Sequence, residues 1–270
     1  RRRHTRYWRD WSSDVCSSDL VAALLWGVHP VTVSSVDWIA ERKNTLSMLF
    51  ACLSVLAWMR GEDNGRRADL AASWGWFVAA LLAKTSFVTL PLVLPLISWW
   101  RGRMSAWGRR DVLRLIPFLS ASLVLGAVTL VLQIGQARTR ASDPLAMLVA
   151  TLSRGMVVSG RAVWFSLSKD LLPVRLAMIY PSWEIDTRSA AAFAPSLAVV
   201  AVLASLWWSR RRPWAKATFF ALAVYVLLLL PVLGFLPATY MRSYACVADQ
   251  WRYAALVSPV ALVVSLAMGL

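Results

Sequence analysis

The sequence predicts an all-α protein, a polytopic transmembrane helical bundle, and three observations carry that expectation. Hydrophobic residues make up 59% of the 270 positions and charged residues only 16%, with a mean hydropathy of +0.56. That balance is too apolar for a soluble domain of ordinary composition. Several apolar runs reach or approach the roughly 20 residues that a helix needs to cross a bilayer. Between these runs the cations gather in short loops, at Arg60, Arg66 and Arg67, at Arg101, Arg103, Arg109 and Arg110, and at Arg210, Arg211, Arg212 and Lys216. This is the pattern that the positive-inside bias produces.

Along the chain, Arg9 to Leu20 (RDWSSDVCSSDL) is a Ser/Asp-rich string without apolar period, joined abruptly to VAALLWGV. Residues 1–20 therefore read as a non-native, adapter-derived or disordered segment, set apart from residues 21–270, a partial transmembrane domain. Val21 to Val28 is short for a span and reads as the tail of a truncated helix. His29-Pro30 ends it, because proline biases its predecessor away from the helical region. Asn44 to Met59 is the next apolar run. Ala71 to Trp100 is long but interrupted by Lys84-Thr85-Ser86. A lysine at the bilayer centre is costly, so two short segments with a turn at Lys84 are expected. Val112 to Ile134, Ala190 to Trp208, Trp214 to Leu236 and Tyr253 to Leu270 follow, giving about eight segments in all, with the chain expected to close inside its last helix. Leu145 to Leu172 is different. It carries Arg154, Arg161 and Lys169 on one helical stripe, as in an interfacial helix with snorkelling cations or a re-entrant element presenting them to an anionic ligand.

If the arginine-rich loops are cytoplasmic, parity gathers His29, Asp37, Glu41, Arg42, Lys84, Tyr180, Glu184, Asp186, Arg242 and Asp249 at the outer face. The formal charge of +15 thus reflects topology and implies the lipid bilayer, not nucleic acid, as partner. Cys16, Cys52 and Cys246 make no disulfide framework. His4 and His29 have no Cys or His at ligand spacing, so no metal is expected.

Four blocks are specific: HPVTVSSVDWIAERKNTLS from His29, LLAKTSFVTLPLVLPLISWW from Leu81, IYPSWEID from Ile179 and VADQWRYAALVSPVAL from Val247. In that order they resemble the membrane domain of bacterial tetratricopeptide-repeat membrane proteins, which is similar to the eukaryotic transmembrane and tetratricopeptide-repeat O-mannosyltransferases. The resemblance covers nearly all of Val21 to Leu270. It implies a GT-C-like fold in the bacterial inner (cytoplasmic) membrane, a polyprenyl-phosphate sugar as donor and a protein or lipid acceptor at the outer membrane face. It also implies an acidic catalytic motif in a loop upstream of His29. Two positions depart from the family pattern, which carries glutamate where this chain has Ser34 and Thr85, and both departures weigh against activity.

Such chemistry needs cations for the donor phosphate, a carboxylate to deprotonate the acceptor and a groove open to lipid. His29, Arg42, Lys84 and Arg242 are the candidate phosphate ligands, since Arg and Lys both bind phosphate and imidazole titrates near neutrality. Each has a plainer reading, as a helix terminator for His29 and a snorkelling anchor for the cations, Arg252 among them. Asp249 and Asp186 are the candidate carboxylates, against a helix cap and a solvated turn. Tyr180, Trp183, Trp251 and Tyr253 are the candidate sugar or acceptor contacts, although aromatic residues collect at membrane interfaces anyway. A transporter or flippase would also show broken helices, for which Pro91, Pro95 and Lys84 qualify, but no internal repeat accompanies them. A non-catalytic anchor for tetratricopeptide repeats would tolerate Ser34 and Thr85.

Overall fold

Helix accounts for 78% of the structure, and no strand forms among the described residues. In the computed structural model these are residues 13–136, 144–235 and 245–269; most of the segment set apart at the N-terminus lies outside them, as does Arg242. The helices are α1 (Ser13–Gly27), α2 (Val33–Val36), α3 (Arg42–Asn64), α4 (Arg67–Ala83), α5 (Leu90–Trp100), α6 (Arg109–Leu113), α7 (Ile116–Gln136), α8 (Pro144–Leu171), α9 (Ala194–Trp208), α10 (Pro213–Leu229) and α11 (Val257–Ala267).

Helix α3 is built inside out relative to a soluble helix. Asn44, Ser47, Ala51, Ser54, Trp58 and Gly61 form its buried seam, mostly small or polar residues at alternating steps of three and four. Leu46, Leu49 and Leu56 face outward and are about half exposed. Small residues let two helix backbones approach closely in an apolar solvent, where burying leucine gains nothing. Helix α4 uses that approach: the Ser54 and Ser73 hydroxyls each donate to the other's backbone carbonyl at 2.8 Å. Around this seam Trp58, Phe77, Leu81, Leu94 and Phe118 are fully buried. The Trp58 indole donates to Ser98 Oγ at 3.1 Å and meets Phe118 edge-on at 5.6 Å.

Among the described residues three helical stretches are long and apolar enough to cross a membrane, Arg109–Leu132, Ala190–Trp208 and Pro213–Val232. Only 11%, 6% and 22% of their apolar windows is buried against the protein, which leaves them suited to a hydrocarbon solvent and marks a membrane protein. Ser18–Gly27 and Pro30–Val36, bent by 49° at the His29-Pro30 break, would make a fourth span if taken as one. The count is therefore smaller than the eight segments expected from apolar runs. One reason is at α5 and α11, whose apolar stretches, Thr85–Trp100 and Val257–Ala267, are too short. The run from Tyr253 does not open as helix because residues 252–256 form turns, and α11 starts only at Val257, with Pro259 in its first turn, where its missing N–H is harmless. The interruption anticipated at Lys84 is a true helix break, with Lys84 in extended backbone at φ −159° and ψ 127°. Helix α8, in turn, is packed into the bundle: it meets α9, and its Val158, Ala162 and Val163 are buried in a cluster with Tyr180, Tyr225, Leu229 and Leu233.

Candidate functional site

The four sequence blocks meet through hydrogen bonds. Asn44 Nδ2 donates to the Gln250 carbonyl at 3.3 Å, Lys84 Nζ donates to Asn44 Oδ1, and the Tyr180 hydroxyl donates to Asp249 Oδ1 at 3.0 Å. A single antiparallel bridge pairs Ile179 with Ala248, the Tyr180 N–H donating to the Val247 carbonyl at 3.3 Å. The loop after α8 is thereby fastened to the stretch that precedes α11.

A cavity of about 520 Å³ opens beside the Lys84 break. Among the described residues Lys43, Lys84 and Arg154 line it and no carboxylate does; Thr85, Ser86 and Thr129 add hydroxyls, and Trp251 an indole. Much of the remaining wall is aliphatic, including Leu81, Leu82, Val88, Val158 and Val232. The two lysines are paired with Glu41, which is buried, 3.2 Å from Lys43 Nζ and 3.8 Å from Lys84 Nζ. Asn44 completes the brace by donating to Glu41 Oε2 at 2.7 Å.

Burial pushes the Lys84 ammonium down to about 8, with Lys43 adding to the shift and Glu41 opposing it. In the unfolded chain the same amine titrates near 10.4. Between those values the unfolded state binds more protons, so Lys84's contribution makes the fold more stable as pH rises through that window. Anion binding has the opposite sign, because it needs the charged amine. Affinity of the cavity for an alkyl phosphate, measured by calorimetry, is expected to fall as pH is raised through about 8 and to stay level in Lys84→Arg, whose guanidinium does not titrate there. A flat profile in the unsubstituted protein would remove Lys84 from the site.

Next in sequence to Trp251, Arg252 centres a second polar cluster. Arg252 is fully buried and donates to Asp170 Oδ1 at 2.9 Å, to the Ser166 carbonyl at 3.0 Å and to Asp249 Oδ1. Asp170 also accepts from the Tyr225 hydroxyl at 2.6 Å. One guanidinium thus faces two carboxylates, and two tyrosines supply further hydrogen bonds to them, although the buried Arg252 Nε finds no partner among the described residues.

The sequence-derived candidates fall into distinct places. Lys84 and Trp251 line the cavity. Arg42 is exposed and does not; its neighbour Lys43 does. His29 Nδ1 accepts from the Val31 N–H at 3.2 Å and Nε2 lies 3.0 Å from the Asp170 carbonyl. An acceptor at Nδ1 and a donor at Nε2 define a neutral ring that caps the turn and ties it to α8. Asp249 is engaged by Tyr180 and Arg252, while Asp186 is exposed and accepts from the Arg188 N–H at 2.8 Å. Tyr180 and Trp183 pack on Phe165, with ring centroids 4.8 and 5.6 Å away. Tyr253 packs on Trp26 at 4.9 Å. Arg252, read from sequence as a surface anchor, is interior because Asp170 and Asp249 meet it there. Comparison with family models, with characterised proteins and with solved structures finds no match for this chain.

Proposed function

We propose that this chain is the membrane domain of a glycosyltransferase-type protein of GT-C-like fold, multi-pass in the bacterial inner membrane, and that its cavity receives the phosphate of a polyprenyl-phosphate sugar. The observation that carries the reading is the cavity's composition: among the described residues the lining holds three cations and no carboxylate, set against an aliphatic wall. Phosphate is bound by Lys and Arg as charge-assisted hydrogen-bond donors, and an isoprenoid tail asks for apolar surface. Three of the four sequence blocks that carry the family resemblance also line the cavity, through Lys43, through Lys84 and Thr85, and through Trp251.

In transfer, the acceptor hydroxyl oxygen attacks the anomeric carbon, the carbon–oxygen bond to phosphate breaks, and the carrier phosphate leaves with the bonding pair. Lys43, Lys84 and Arg154 would neutralise the charge that develops on the leaving phosphate. The proton passes to a carboxylate, which the family resemblance assigns to a loop ahead of His29. Asp249 is a poor choice for that task because it is buried and already accepts from the Tyr180 hydroxyl and the Arg252 guanidinium.

The test is addition of radiolabelled polyprenyl-phosphate sugar to the full-length protein in liposomes. Transfer to peptide or lipid is the expected result. Movement of the label across the bilayer without transfer would make the protein a flippase, and neither event would make it an anchor.

A further inference from the structure

We propose that the Lys43–Lys84–Arg154 cavity selects an apolar-tailed phosphate monoester, the carrier phosphate freed by transfer, over the phosphodiester that carries the sugar. The inference rests on reading the cavity as a carrier-phosphate site, and it adds which form of the carrier binds more tightly.

Charge is the first argument. Among the described residues three cations line the cavity, and one carboxylate, Glu41, pairs with them, at Lys43 and Lys84. Three positive side chains against one negative leave two positive charges to be met by a ligand. A phosphate monoester carries about −1.5 to −2 near neutral pH, whereas a diester carries a single charge. In a partly buried cleft an unmatched unit charge is costly at the separations of direct contact. Donor geometry is the second argument. A monoester offers three terminal oxygens and a diester two. The lining supplies two ammonium groups and a guanidinium, with the Thr85, Ser86 and Thr129 hydroxyls beside them. The third is size: about 520 Å³ is within the range of small-ligand pockets and holds a phosphate with the first part of a tail against Leu81, Leu82, Val88 and Val158. A site of this kind retains its product, so release of the carrier phosphate limits turnover.

The experiment measures binding to the intact protein in phosphatidylcholine nanodiscs, which add no net anionic charge. The probes are dodecyl phosphate, its methyl diester and inorganic phosphate, all near neutral pH. Dodecyl phosphate is expected to bind about tenfold or more tightly than the diester. The same margin is expected over inorganic phosphate, which lacks the tail. Lys43→Gln, Lys84→Gln and Arg154→Gln should each shrink the monoester advantage. Lys43, with its side chain 49% exposed, is the substitution least able to disturb packing. Equal or tighter binding of the diester, or an advantage untouched in all three variants, overturns the proposal. Inorganic phosphate binding as tightly as dodecyl phosphate overturns the requirement for a tail. A monoester preference in a protein that fails the liposome transfer assay sinks the glycosyltransferase reading alone, and transfer without the preference sinks this inference alone.

Discussion

Arg252→Ala is expected to be among the most damaging substitutions in the chain, costing about 3–5 kcal/mol, the usual penalty for removing one partner of a buried ion pair. Arg252 is fully buried, and Asp170 and Asp249, at 5% and 4% exposure, each accept from it. Without the guanidinium two carboxylates remain inside the protein with only tyrosine hydroxyls to satisfy them. Thermal unfolding in a mild detergent measures the loss. The control is a triple variant, Arg252→Met with Asp170→Asn and Asp249→Asn, which removes the charges together. Neutral amides can still accept from Tyr225 and Tyr180, so the triple variant should recover much of the stability. A loss below about 1 kcal/mol for Arg252→Ala, the level of an exposed pair, would mean that the cluster is open to water.

Gly160→Val is expected to open the contact between α8 and α9. A Cβ at Gly160 would fall inside the contact distance of the Ser196 backbone and hydroxyl. Because backbone atoms are among those struck, no change of rotamer relieves the collision. Overpacking costs about 1–3 kcal/mol where side chains can give way, and here the loss should sit at the upper end of that range or beyond it. Gly75 in α4 supplies the contrast, since a Cβ there meets nothing within 4 Å. Gly75→Ala should be neutral or stabilising by about 0.5–1 kcal/mol, the helical cost of glycine relative to alanine. Melting both variants beside the parent protein checks the pair, and a Gly160→Val protein as stable as Gly75→Ala would contradict the tight α8–α9 approach.

Much of the helical layout is legible in the sequence because apolar runs, prolines and Lys84 act locally. The break at Lys84 follows from the cost of one misplaced cation, and the bend at His29-Pro30 from one ring. What could not be read is which polar residues turn inward. Arg42 and Lys43 are adjacent, and one step along a helix rotates a side chain by about 100°, enough to decide which of them lines the cavity. The seam at Asn44, Ser47 and Ser54 was the available signal for that register. Arg252 and Asp170 are 82 positions apart, and no local pattern links them. Arg154 stood on a basic stripe with Arg161 and Lys169, and only packing of α8 separates it as the one that lines the cavity, while Lys169 donates to the Val174 carbonyl at 2.6 Å.

Helix α9 buries so few of its side chains that its history of substitution should look unlike that of its neighbours. With 6% of its apolar window covered, one aliphatic side chain serves as well as another over most of its length. Ser196, pressed against Gly160, and the buried Leu206 are exceptions. Drift in this helix should therefore run freely among valine, leucine, isoleucine and alanine while halting at those two positions. Related chains would differ most where this one is greasiest.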